Sequence, residues 1–160
     1  MADDQSGVRS RAAIAGHPIH PMLVPFPIAF LVATFASDLN FWCTGDAFWA
    51  RASLWLAGAG LVTGLAAAVT DPIDFLSIQR AREGTAGWIH FLGNAVVLLL
   101  TLWNVLHRLG DPASGVLPLG VILSGIVALI LFVTGWMGGE LAYRTKIGQI
   151  DGSAPWKRKR

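Results

Sequence analysis

The chain predicts an all-α fold, an up-down bundle of four transmembrane helices with both ends in the cytoplasm. Three observations carry that expectation. Four apolar segments, each close to the roughly 20 residues that cross about 30 Å of hydrocarbon, are separated by short polar breaks. Only 14% of the 160 residues are charged and 54% are hydrophobic, where a soluble domain carries about 25% charge. Finally, Lys and Arg gather on one side of the resulting weave, the side that stays in the cytoplasm under the positive-inside rule.

Taken in order, residues 1–15 form a cytoplasmic tail. It carries Asp3 and Asp4 and has no apolar run before Ile19, so it does not read as a cleavable signal peptide; the first span serves as the insertion signal. The four-span domain covers residues 16–148, with spans at 22–41, 52–69, 86–106 and 116–137. Breaks at 40–51, 71–85 and 107–115 are too short for anything but antiparallel neighbours. Residues 149–160 form a basic cytoplasmic tail that ends Trp156-Lys157-Arg158-Lys159-Arg160.

On this threading one face holds Arg9, Arg11, Arg80, Arg82, Arg144, Lys146 and the four basic residues of the tail, against Arg51 and Arg108 on the other. The seven tryptophans suit a chain with two interfaces to anchor. The pI near 9.1 comes from the tail, a topology signal that can touch anionic lipid, and gives no case for nucleic-acid binding. Cys43 is alone, which excludes an internal disulfide.

Helical periodicity assigns faces. In span two, Ser53, Ala57, Gly60, Gly64, Ala67 and Asp71 share a stripe; in span four, Gly120, Ser124, Ala128, Gly135 and Gly138 do. Small residues let membrane helices pack closely, within the chain or in a homo-oligomer. In span three, His90, Asn94, Thr101 and Asn104 share one face. Lipid cannot satisfy such a polar stripe, so it turns into the bundle.

The sharpest local signal is His17-Pro18-Ile19-His20-Pro21. A histidine before proline is biased to extended geometry, and a polyproline II run would put His17 and His20 on one side. Pro25 and Pro27 suit a first helical turn. The up-down threading brings His20, Asp71, His90 and Glu140 to one depth near the cytoplasmic face. Spans one and three can lie diagonally, so His20 and His90 can face each other.

The run HPIHPMLVPFPIAFLVATFASDL, the DPIDF segment after span two, His90 with Asn94, and GWMGGELAYRTKIG at the end of span four resemble the bacterial domain-of-unknown-function 2231 membrane family. The likeness covers residues 16–148. It implies a multi-pass protein of the bacterial inner membrane. It also implies company with electron transfer, since some relatives carry a Rieske-type iron–sulfur domain that this chain lacks. Where relatives often have YRHG after the GGEL motif, this chain has Tyr143-Arg144-Thr145-Lys146, so a further ligand is missing.

Three uses of these residues stay open. Two opposed imidazoles, His20 and His90, can hold a b-type haem iron, with His17 and Asn94 close by, Arg80, Arg82 or Arg144 on the propionates, and Asp71 or Glu140 on a second imidazole nitrogen. His20, His90, Asp71 and Glu140 can instead hold one divalent transition metal. His and carboxylate can also relay protons in a small transporter. Against these stands a cofactor-free structural or assembly subunit. There Asp71 and Asp74 are turn residues, Glu140 pairs with Arg144 four residues on, and His90 bonds across helices. The expected partners are lipid and, for the haem or metal reading, a redox protein. On the other face an Asp38–Arg51 ion pair closes the first hairpin and His107 caps its helix. No catalytic template is present, and no catalytic residue is assigned.

Overall fold

The computed structural model describes residues 10, 12–15 and 17–144, with the side chains of Asp74 and Arg80 excepted. Arg9, Arg11, Thr145, Lys146 and the basic tail lie outside the described residues. A two-stranded ribbon, β1 (Ala13–Ile14) and β2 (His17–Pro18), leads into a short helix, α1 (Ile19–Leu23). The spans follow as α2 (Pro25–Thr44), α3 (Ala47–Ser77), α5 (Thr85–Arg108) and α7 (Val121–Tyr143). Two short helices, α4 (Gln79–Glu83) and α6 (Pro112–Gly115), and one wide turn at Val116–Gly120 complete the chain. Four helical stretches are long and apolar enough to cross a membrane: Ile19–Thr44, Ala47–Ser77, Thr85–Arg108 and Pro112–Tyr143.

The helices outrun the expected apolar segments at nearly every end, because hydropathy ends where polar residues begin and the backbone does not. The clearest case is α3. The break expected at 71–85 begins only after Ser77, so Asp71 and Asp74 are helical and not turn residues. Pro72 sits inside this helix, where its ring crowds the preceding turn and no N–H is donated. One turn earlier the Ala67 carbonyl takes two side-chain donors, Thr70 Oγ1 at 2.8 Å and His20 Nδ1 at 3.3 Å. At the other loop, Asp111 caps α6 by accepting from the Ala113 N–H at 3.0 Å, and Pro112 fills the first helical position. Leu117, before Pro118, is extended (φ −111°, ψ 137°), which delays the start of α7.

The four long helices form a ring: α2 packs on α3 and α7, and α5 packs on α3 and α7. Spans one and three are therefore diagonal, as the threading allowed. The small-residue stripe of α3 is spent inside the chain. Ser53, Ala57 and Ala67 are buried; Gly60 lies so close to Leu31 of α2, and Gly64 to Leu98 of α5, that a Cβ at either would overlap that leucine. In α7 the stripe holds at Ser124, after which the inward line runs through Val127, Leu131 and Thr134. Outward faces are apolar throughout, with Trp55, Leu99, Phe132 and Trp136 exposed. In water that would be untenable; against lipid it is the expected solution.

The core is layered along the bundle axis. Leu31, Val97, Val127 and Leu131 form an apolar layer in the middle, and polar side chains are buried on both sides of it. At the end near the two termini, Phe75, Ile78 and Ala81 pack with Phe91, and Phe75 stacks on Phe91 at 4.6 Å.

Candidate functional site

At the end where α1 starts and α3 stops, three side chains from three different helices converge. One ligand-capable atom from each of His20 (α1), Asp71 (α3) and His90 (α5) lies within 4.8 Å of the others. The two imidazoles meet edge to face, ring centres 5.8 Å apart at 79°. His90 donates from Nδ1 to the Thr134 carbonyl at 2.8 Å, and its Nε2 accepts from Asn94 Nδ2 at 3.1 Å. His20 donates from Nδ1 to the Ala67 carbonyl. A donor at Nδ1 turns the Nε2 lone pair outward as an acceptor; that of His20 is free among the described residues, and that of His90 is taken by Asn94.

His20 Nε2 is buried and has no hydrogen-bond partner among the described residues. Asp71 takes no hydrogen bond from the described residues. A buried acceptor without a donor carries a desolvation cost of about 1–3 kcal/mol, which a bound cation would remove.

Position, not sequence adjacency, builds this group. Pro18 is extended (φ −61°, ψ 128°) but Ile19 already opens α1, so the polyproline run stops short. His20 then points inward. His17 stays exposed in the ribbon, its Nδ1 donating to the Ala15 carbonyl at 3.2 Å. Gly138 gives His90 its room, since a Cβ there would lie 3.1 Å from His90 Cε1; this is what the first glycine of GGEL does after Met137.

The other expected residues stand apart from the three. Glu140 pairs with Arg144 at 3.0 Å, one helical turn away, and the Arg144 side chain is 80% exposed. Arg82 is exposed, and its carbonyl accepts from Trp88 Nε1. The Arg80 side chain lies outside the described residues. The second imidazole nitrogens are held by main-chain carbonyls, not by Asp71 or Glu140.

Beyond the cluster the site opens into a cavity of about 510 Å³, walled mainly by carbon and floored by Leu31, Val97 and Leu131 of the central layer.

A second polar group, on the far side of that layer, was not legible as such. The expected Asp38–Arg51 pair does not form: Arg51 is exposed and Asp38 binds Arg108. The guanidinium donates from NH1 to Oδ1 at 2.7 Å and from NH2 to Oδ2 at 2.8 Å, with both side chains fully buried. Ser124 donates to Oδ2 at 2.6 Å and Ser53 to Oδ1. Arg108 Nε donates to Asn104 Oδ1 at 2.8 Å, and Asn104 Nδ2 to the Gly120 carbonyl at 3.3 Å. Gly115 and Gly120 admit the arginine; a Cβ on either would overlap it. Asp38 is on α2, Ser53 on α3, Arg108 on α5 and Ser124 on α7, so one bidentate pair ties all four spans. The signal was available. Arg108 continues the spacing of His90, Asn94, Val97, Thr101 and Asn104 by one more turn.

A family model described as "predicted membrane protein (DUF2231)" matches residues 16–151. The chain belongs to the DUF2231 family. No curated protein and no solved structure matches it. The motifs that carry the family likeness now have positions: in this DUF2231 chain the first His-Pro pair sits in the ribbon, the second supplies His20, DPIDF supplies Asp71, and GWMGGEL packs Gly138 against His90.

Proposed function

We propose that this protein binds a divalent transition metal inside the membrane through His20, Asp71 and His90, and serves electron transfer or a redox partner there. The observation that carries the reading is the convergence of two imidazoles and one carboxylate from three helices, their ligand atoms within 4.8 Å of one another, with one imidazole nitrogen buried and unpartnered among the described residues. Two histidines and a carboxylate suit zinc, iron or manganese and leave coordination positions open; iron or manganese can pass an electron, whereas redox-inert zinc could only support a redox partner. Asn94 Nδ2 donates to the His90 Nε2 lone pair, so ligation through that nitrogen would require the amide to turn aside.

Haem is the weaker use of the same residues. An iron shared axially by His20 and His90 would need a macrocycle across the plane between them, and the Asp71 carboxylate lies within reach of both rings in that space. Elemental analysis and an absorption spectrum of protein purified without chelator separate the cases. About one metal ion per chain with no Soret band is expected. A Soret band that shifts with dithionite would replace metal by haem. Neither metal nor haem would leave a cofactor-free subunit.

The reading places the site near the cytoplasmic face. Arg108 is neutralised inside the bundle, which leaves Arg51 as the one free cation on the opposite face among the described residues. A fluorescent protein fused to the C-terminus should therefore glow in a Gram-negative host, and alkaline phosphatase fused there should be inactive. An active phosphatase would reverse the orientation.

A further inference from the structure

The cavity behind the His20–Asp71–His90 group is larger than a hydrated metal ion needs. Its volume of about 510 Å³ falls among pockets that enclose whole small molecules, about 300–1,000 Å³. Its polarity is graded. His20, Asp71, His90 and Asn94 sit at one end, and Leu31, Leu98 and Leu131 are among the apolar side chains beyond them.

The wall is also incomplete on one side. Gly135 and Gly139 of α7 line the cavity. Gly135 is exposed, and a Cβ built on either glycine meets nothing within 4 Å. The short α1 packs on α3 and α2, and none of the described residues fills the space beside Gly135 and Gly139 on α7.

We infer that the cavity binds a single-chain amphiphile from the membrane, a fatty carboxylate, with its head at the His20–Asp71–His90 end and its chain along the leucine wall. The assignment rests on the metal reading above. A divalent ion held by one carboxylate and two neutral imidazoles keeps a net positive charge, and its open positions favour an anionic oxygen donor. A neutral head would leave that charge uncompensated in a low-dielectric site. The space beside Gly135 and Gly139 admits the chain from lipid without passage through water.

The test uses the full-length protein in phosphatidylcholine nanodiscs, with a dansyl-labelled undecanoate as fluorescent probe. Saturable binding is expected, displaced by oleate and not by oleyl alcohol or a short-tailed quinone. Gly135→Leu and, separately, Gly139→Leu should weaken it by about tenfold or more by filling the guest's space, while both keep wild-type metal content. Stripping the metal with a chelator should abolish it. Wild-type probe affinity in both glycine variants, equal displacement by the alcohol or the quinone, or undiminished binding by stripped protein would each overturn the assignment. Metal content is read on the same samples. A wild-type protein without metal defeats the metal reading, whereas a loaded protein indifferent to the probe defeats only the fatty-acid site.

Discussion

Arg108→Leu is expected to lower stability by about 3–5 kcal/mol, the cost of leaving a buried charge without its partner. The lost groups are specific. Asp38 would keep only the Ser53 and Ser124 hydroxyls of its present donors, and Asn104 Oδ1 would lose the Arg108 Nε–H. Water does not reach the site to compensate, because both ionic side chains are fully buried. The thermal midpoint of the detergent-purified variant should fall sharply, or the variant should fail to accumulate in membranes. The double variant Asp38→Leu/Arg108→Leu should recover much of the loss, since removing both charges of a buried pair is often near neutral. An unchanged midpoint in the single variant would mean that the pair holds nothing together.

His90→Ala should abolish metal retention with the fold intact. On the proposed reading His90 would supply one of three ligands, and its Nδ1 bond to the Thr134 carbonyl fixes the ring. Loss of even an orienting partner of a metal ligand costs about 10–100-fold in affinity, so loss of the ligand itself should exceed the upper end of that range. Helical circular dichroism should not change, because the Asp38–Arg108 tie lies beyond the central apolar layer. Arg82→Ala, which alters an exposed side chain outside the cluster, should keep full metal content. Equal retention by His90→Ala and the wild type would remove His90 from the site.

The fold was legible because hydrocarbon imposes it. Four apolar runs with short breaks permit few threadings, and diagonal placement of spans one and three follows from the ring. A common depth for His20, Asp71, His90 and Glu140 was legible for the same reason, since depth in a bundle can be read from distance to a span's end; three of the four meet, and Glu140 turns to Arg144 instead. What failed was partner choice. Asp38 was matched to Arg51, near it in sequence, although Arg51 points outward and the periodicity of α5 carries Arg108 inward. The carbonyls of Ala67 and Thr134 that orient the imidazoles could not be read at all. A main-chain acceptor has no signature in residue type, and its position depends on axial register between helices, which hydropathy does not encode.

The layer of Leu31, Val97, Val127 and Leu131 has an electrical meaning. A charge carried across the whole membrane potential gains or loses about 2.3 kcal/mol per 100 mV, and an apolar layer of low dielectric takes part of that drop. The imidazole–carboxylate group stands wholly on one side of that insulator. If the proposed cation enters from the end of the bundle where this group lies, it does not cross the layer, and occupancy should stay steady when the cell's membrane potential collapses.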